Sequence, residues 1–305
     1  MAYSRDQILE QNKDYSNYSP RWEYYIRSFL GGQEYKDGKY LQEYQLELEN
    51  EYYRRIQNTP VDNHCRNIVN IYSSFLFRIK PVRELGGLED DKTIPMFLDD
   101  ADLEGRSYTA LLRELQTYAS VYGNCWAILD KPNSNAKTRA EELNQEIRPY
   151  INIVTPENVI DWNYSRASSG KYYLDYLKVR ENIGTEETTY RIWYTDRIDT
   201  VVMKTKGTND PKLIESIPNN LGVIPAVVLY NQRSPMRAIG ISDLTDIADL
   251  QRSIYNELSE IEQLIRLANH PSLVKTRDVD ASAGAGAIIE MTDNLDPALK
   301  PYLLQ

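Results

Sequence analysis

The 305-residue sequence is poor in the side chains from which catalytic and metal sites are built: it has two cysteines, Cys65 and Cys125, and two histidines, His64 and His270. Two cysteines make no disulfide framework, and a reducing cytoplasm suits them. Two histidines exclude most three-histidine metal sites and leave little for a Ser-His-Asp arrangement. His64 and Cys65 are adjacent on one helix and face different directions, and no Cys-x-x-Cys or His-x-x-x-His pattern completes a zinc site. Long apolar runs are missing too. No stretch of about 18 apolar residues exists, which excludes an ordinary membrane-spanning helix. The opening MAYSRDQILEQNKDYSNYSP is too polar for a signal peptide, so the protein is expected to be soluble where it is made.

Positive charge is short as well: 35 Lys and Arg stand against 45 Asp and Glu, a net charge of -10. That is the opposite of a protein that grips phosphates. Beside DNA, an acidic wall would repel the polyanion over a Debye length of roughly 8 Å. The nucleotide-binding patterns fail in detail. Gly32 to Tyr40 (GQEYKDGKY) has Gln33 and Tyr40 where a P-loop needs Gly and Ser or Thr. Gly284-Ala285-Gly286 lacks the third glycine and precedes a strand pattern, so it reads as a flexible turn. The acid clusters Glu89 to Asp91 and Asp99, Asp100 and Asp102 lack calcium-loop spacing and read as solvated loop acids. Scattered acids elsewhere leave a glycosidase pair open, since a sequence does not give their separation.

What is present is a globular composition, 41% hydrophobic and 26% charged, with 24 Tyr against 4 Phe and 4 Trp. Such a chain has a substantial core. Tyrosine suits half-buried surfaces, which subunit interfaces and a tyrosine-rich domain surface explain equally. From Tyr35 to Asn58, Tyr40, Leu41, Tyr44, Leu48, Tyr52 and Ile56 recur at helical spacing and predict one amphipathic helix. A second helix follows Pro60, with Cys65, Ile68, Val69, Tyr72, Phe75 and Leu76 inward, and Pro81 stops it. Ser107 caps a third, carrying Leu111, Leu112, Leu115 and Tyr118, which gives way at Gly123 to the strand CWAILD. Lys131 to Glu146 reads as an exposed loop. Between Tyr150 and Thr205 the segments YINIVT, VIDWNY, KYYLDYLKVRENI, TYRIWYT and RIDTVVMKT predict an antiparallel meander, with Tyr172, Leu174, Tyr176 and Lys178 alternating. VIPAVVLY adds a strand after the turn at Asn219 to Gly222.

After Gly240 the pattern changes. Ser242 to Asn269 holds neither Gly nor Pro and predicts a helix of roughly 40 Å, with Ser242 as N-cap and Asp243 and Asp246 in the first turn. Leu244, Ile247, Ile254, Leu258, Ile261, Ile265 and Ala268 form a narrow stripe near the period of helix-on-helix packing, interrupted at Gln251. Either an internal core helix or one stave of a multi-helix assembly fits that stripe. The last segment has two short apolar strands around a Gly/Ala-rich turn and stops on Leu303, Leu304 and Gln305; the natural chain is expected to continue.

This order resembles the wing, stem and clip of the portal proteins of tailed bacteriophages. The resemblance is spread over most of the chain. It is carried by Tyr35, Gly38, Tyr40 and Leu41; by Asn67-Ile68-Val69 with Tyr72, Phe75 and Leu76; and by Val154-Thr155-Pro156-Glu157-Asn158-Val159-Ile160 with Trp162. More specific are Ile224-Pro225, Gly240-x-Ser242-Asp243-Leu244, Leu250-Gln251, Tyr255-Asn256 and Ser259, which look like the start of a portal stem. The resemblance implies an α+β fold. A wing would span 1–239, with helices over 35–58, 62–79 and 107–121 and β structure over 124–130 and 150–230; a stem helix would span 240–269 and an incomplete clip 270–305.

By the same resemblance the chain is a non-catalytic structural subunit, without cofactor or metal, of a closed ring of about twelve copies. That ring would sit at a capsid vertex of the virion, after assembly in the host cytoplasm, and serve DNA packaging and genome ejection. Its partners would be the packaging terminase, the capsid protein and a neck or adaptor protein, with double-stranded DNA passing without tight binding and no membrane involved. Leu244, Ile247, Ile254, Leu258, Ile261 and Ile265 would pack the stem, and Asp249, Glu257 and Glu260 would give an acidic channel face. Another phage neck or connector protein, or a cytoplasmic enzyme with an acidic site such as a carbohydrate hydrolase, is the alternative.

Overall fold

The computed structural model describes residues 3–45, 47–88, 91, 93–132, 136, 138–205, 210–269, 272–274 and 302–304. The chain forms two compact units, one of Met1–Gly38 with Asn63–Gln251, the other of Lys39–Asp62 with Arg252–Gln305. The mixed α+β architecture with antiparallel sheets agrees with the expected class. The division falls inside the long helix rather than before it.

In the first unit the helices are α1 (Arg5–Leu9), α2 (Lys13–Leu30), α3 (Gly32–Asp37), α5 (His64–Leu76), α6 (Thr93–Asp99), α7 (Tyr108–Tyr122) and α8 (Arg139–Asn144), with α4 (Glu49–Asn58) belonging to the second. Strands β1 (Asn124–Asp130), β2 (Tyr150–Val154) and β8 (Ala226–Tyr230) form a three-stranded sheet in the order β2-β1-β8. Strands β3 (Val159–Arg166), β4 (Tyr172–Ile183), β5 (Glu187–Tyr194), β6 (Arg197–Lys204) and β7 (Lys212–Pro218) form a sequential antiparallel meander. The segment YINIVT, expected in the meander, pairs with β1 instead.

Both faces of the meander are covered. On one, Trp162, Leu174, Leu177, Val179 and Trp193 join the core built with Trp22, Val69, Val121 and Trp126. On the other, Ile160, Tyr190, Ile192, Val201 and Met203 close over Ile8 of α1. The expected alternation along β4 is broken, because Asp175 is bulged between the pairs Asn163↔Tyr176 and Tyr164↔Leu174. A bulge reverses which face the following residues occupy. Leu174 therefore faces the main core, while Tyr176 packs against the smaller one. The Asp175 carboxylate holds the bulge by accepting from Asn163 at 2.9 Å and Ser165 at 2.5 Å. Lys178 is fully buried, its ammonium donating to the Glu10 and Gln7 carbonyls at 2.5 and 3.1 Å. Desolvation lowers its pKa.

Four further expectations are corrected. The single helix over 35–58 is two helices, α3 and α4, because Gln42, Tyr44 and Glu47 gather around Arg55. That guanidinium bonds Glu47 at 2.6 Å and the Gln42 carbonyl at 2.7 Å, and stacks 3.8 Å from the Tyr44 ring centre. On α5, Cys65, Val69 and Ser73 are buried, whereas Tyr72, Phe75 and Leu76 are exposed. The loop after Lys131 contains α8, with Thr138 capping the Glu141 N–H and two glutamates in the first turn. Of the acids near residue 100, Asp99 is exposed as expected, but two are spent on structure: Asp100 pairs with Arg148 at 2.6 Å, and Asp102 bonds Arg106 and the Glu104 N–H. Burial pushes the Asp102 carboxyl up, but those bonds outweigh it and hold it below its ordinary value.

Candidate functional site

The long helix α9 (Ile247–Asn269) is reached through β9 (Gln232–Arg233) and β10 (Gly240–Ile241), which pair with each other. Its approach is fixed by backbone contact. Gly123 ends α7 in the left-handed region at φ 94°, and a Cβ on Gly240 would lie 1.9 Å from the Gly123 carbonyl oxygen. Only glycine permits that approach. Ser242 is not the helix cap that its position predicts, since turns at 243–246 precede Ile247. Its buried hydroxyl lies 2.6 Å from the Val121 carbonyl and 3.1 Å from that of Ser120, satisfying the end of α7, and accepts the Leu244 N–H at 2.9 Å. Asp243 donates its N–H to Ser120 and accepts from Asn231 at 2.7 Å. The Gly240-x-Ser242-Asp243-Leu244 pattern is thus a docking joint on the C-terminus of α7.

Beyond the joint, the inward face of α9 is substantially polar. Leu244, Ala248, Gln251, Tyr255 and Ser259 are buried. In the first unit Gln251 accepts the Cys65 N–H at 3.0 Å and donates to the Ser28 carbonyl at 3.1 Å. In the second, Tyr255 donates to Ile56, Asn256 bonds the Gln42 N–H and the Tyr40 carbonyl, and Ser259 accepts from Arg55 at 3.1 Å. These buried groups are satisfied, as buried polar groups must be. The sequence shows Gln251 as a break in the stripe and marks Gln251, Asn256 and Ser259 only through the portal resemblance, without an anchoring role, and it does not single out Arg55. A polar residue interrupting an apolar stripe was the available signal for Gln251.

The apolar stripe divides between two faces. Of its expected members, Leu244 is fully buried, Ile247, Ile254 and Leu258 are half-buried, and Ile261 and Ile265 are exposed. At about 3.6 residues per turn, Leu250, Ile254, Ile261 and Ile265 fall on one line, joined by Leu264 and separate from the polar anchors. Leu250 and Leu264 are 63% and 65% exposed, so this line faces solvent. Asp249, Glu257 and Glu260 are all exposed on one flank of it, together with Asp246. Residues 270–305 of the expected clip lie outside the described residues, except for paired strands at Ser272–Val274 and Tyr302–Leu304. His270 and the turn Gly284–Gly286 likewise lie outside them.

A cavity of about 440 Å³ is lined by Glu104, Arg106, Glu114, Tyr150, Asn158 and Glu181, among others. Arg106 holds Asp102, Glu104 and Glu114 together. Burial raises the Glu181 pKa, and Arg191 lies 3.2 Å from its carboxylate. The acids of this cavity are therefore tied into ion pairs. Cys65 and Cys125 are buried and free, and desolvation pushes both thiols up to about 12, away from nucleophilic thiolate. Gly32 to Tyr40 follows α2 and forms α3, not a phosphate loop. Among the described residues no group of three or more His, Cys, Asp or Glu side chains is placed to hold a metal ion, and no helix is long and apolar enough to cross a membrane. No protein-family model matches this chain, and no curated protein matches its sequence.

Proposed function

We propose that the chain is a structural subunit of the portal ring of a tailed bacteriophage, with α9 as a stave of its stem. The observation that carries this reading is the outward apolar line on a 23-residue helix whose inward face is anchored by Gln251, Tyr255, Asn256 and Ser259. A helix fixed on one face and apolar on another has a surface that a second helix would bury. Six of the residues that carry the portal resemblance, Gly240, Ser242, Gln251, Tyr255, Asn256 and Ser259, coincide with the joint and the anchors that set the helix in place.

On this reading the ring stands at a capsid vertex and docks the packaging terminase, the capsid protein and a neck protein. Work for DNA movement comes from the motor. The net charge of -10 suits a channel that duplex DNA passes without adhering. Mass photometry and negative-stain microscopy of the purified chain test the proposal. Closed rings of about twelve subunits around a central hole are expected. Monomers at every concentration, or a chain that turns over a glycoside, would overturn it.

A further inference from the structure

We propose that α5 and the segment after it are the receiving face for the outward line of α9 on a second copy of this chain, a heterologous contact. The proposal rests on the ring reading and names the two faces that would close the ring. Ile71, Tyr72, Phe75, Leu76, Ile79 and Val82 are all exposed, Ile79 by 80% and Val82 by 92%. Six large apolar side chains within a dozen residues make a patch of the kind that marks an interaction surface.

The charge around that patch identifies the occupant. Residues 65–83 carry Arg66, Arg78, Lys80 and Arg83 and no acid, with Asp62 and the exposed Glu84 just outside, in a chain where acids outnumber bases by 45 to 35. Arg66 is engaged with the Phe29 carbonyl, and Arg83 with Thr109 and the Tyr108 ring. Arg78 and Lys80 are exposed beside the apolar patch. The outward line of α9 has the opposite fringe: Asp246, Asp249, Glu257 and Glu260 on one flank, with Arg252 on the far side.

A two-fold pairing of either face with itself would set like charge against like, which disfavours an isologous dimer. Basic-apolar against acidic-apolar is complementary, and a head-to-tail contact of two different faces closes a ring when the rotation permits. Glu257 and Glu260, expected on the channel face, would then answer the neighbour's Arg78 and Lys80.

Charge reversal in the full-length chain tests the pairing, read as the concentration of half-assembly by mass photometry with circular dichroism as the check on folding. Arg78→Glu with Lys80→Glu, and separately Glu257→Lys with Glu260→Lys, should each raise that concentration by at least about tenfold. Combining all four should return it to within about threefold of the unaltered chain. If either pair leaves assembly unchanged, or the combination is as defective as its parts, the proposed contact is overturned while the ring reading stands. A parent chain that never assembles overturns both. If Arg78→Glu with Lys80→Glu keeps rings but abolishes co-sedimentation with phosphatidylserine vesicles, the patch is a membrane surface and the proposal likewise falls.

Discussion

The meander and α9 use their apolar residues in opposite ways. In β3–β7 the large side chains are spent inside the first unit: Trp162, Leu177 and Trp193 face one core, and Ile192, Val201 and Met203 the other. On α9 the buried positions past Leu244 are Ala248, Gln251, Tyr255 and Ser259, while Leu250, Ile261, Leu264 and Ile265 are exposed. Periodicity in a sequence therefore identifies a surface that wants burial without saying which molecule provides it. In the meander the chain covers its own strands. On α9 it pins the helix by hydrogen bonds and leaves the apolar line outward.

The contrast is broken most forcefully in the meander. Trp193 is 2% exposed, and Trp193→Ala should cost about 4 kcal/mol, combining lost transfer energy with a cavity. Urea unfolding followed by far-ultraviolet circular dichroism measures it. A loss below 1 kcal/mol would mean that the sheet face is less tightly packed than its burial indicates.

Next in size is the buried ion pair of the second unit. Arg55 and Glu47 have side chains 3% and 7% exposed, and Glu47→Gln leaves the guanidinium without its counter-charge. The expected loss is about 3 kcal/mol. The same pair predicts a pH dependence. The hydrogen-bonded Arg55 guanidinium holds the Glu47 carboxyl below its ordinary value against an opposing effect of burial. A depressed carboxyl stabilises fully above its unfolded value, about 4.3, and loses that contribution as pH falls through the folded value. Stability measured from pH 6 down to pH 3 should fall less steeply in Glu47→Gln than in the parent; equal slopes would separate Glu47 from the acid transition.

A smaller effect tests the polar anchoring of α9. Gln251→Ala strands the Cys65 N–H and the Ser28 carbonyl and should cost about 2 kcal/mol. Gln251→Leu should not repair it, because leucine satisfies neither group. Full recovery by leucine in the same urea titration would show the position to be apolar in character after all.

What the sequence made legible follows from which forces act locally. The α7 cap at Ser107, its stop at Gly123, the strand β1 and four of the five meander strands are written in short-range patterns, and they are present. The β7 strand was missed because Leu213-Ile214 and Glu215-Ser216 stand side by side in it and break the alternation. The α2 helix escaped because Pro20 lies inside it; packing of Tyr15 and Trp22 outweighs the usual penalty of about 3 kcal/mol for a mid-helix proline. The break between α3 and α4 was hidden because the buried side chain of Arg55, on the helix that follows, organises it through Gln42, Tyr44 and Glu47, and no periodicity encodes that. Of the candidate site, the apolar stripe was visible and the resemblance marked Gln251, Tyr255, Asn256 and Ser259, but their anchoring role was not legible, since Gln251 and Ser259 become intelligible only when their distant partners are placed.

The smallest expected change in folding sharpens the comparison best. Leu264 lies on the outward line of α9 at 65% exposure, so Leu264→Ala should alter the unfolding free energy of the unassembled subunit by less than about 0.5 kcal/mol. The same substitution removes apolar area from the surface assigned to the neighbouring copy and should weaken assembly by roughly tenfold, equivalent to about 1.4 kcal/mol. The two measurements must be made on either side of the assembly concentration, urea unfolding below it and mass photometry across it. If unfolding shifts by as much as Trp193→Ala shifts it, the leucine already has a partner within its own chain and the stave reading fails. If neither quantity moves, the line is a solvated surface. A change in assembly without a change in folding is the result that separates a helix waiting for a neighbour from a strand that has already buried its face.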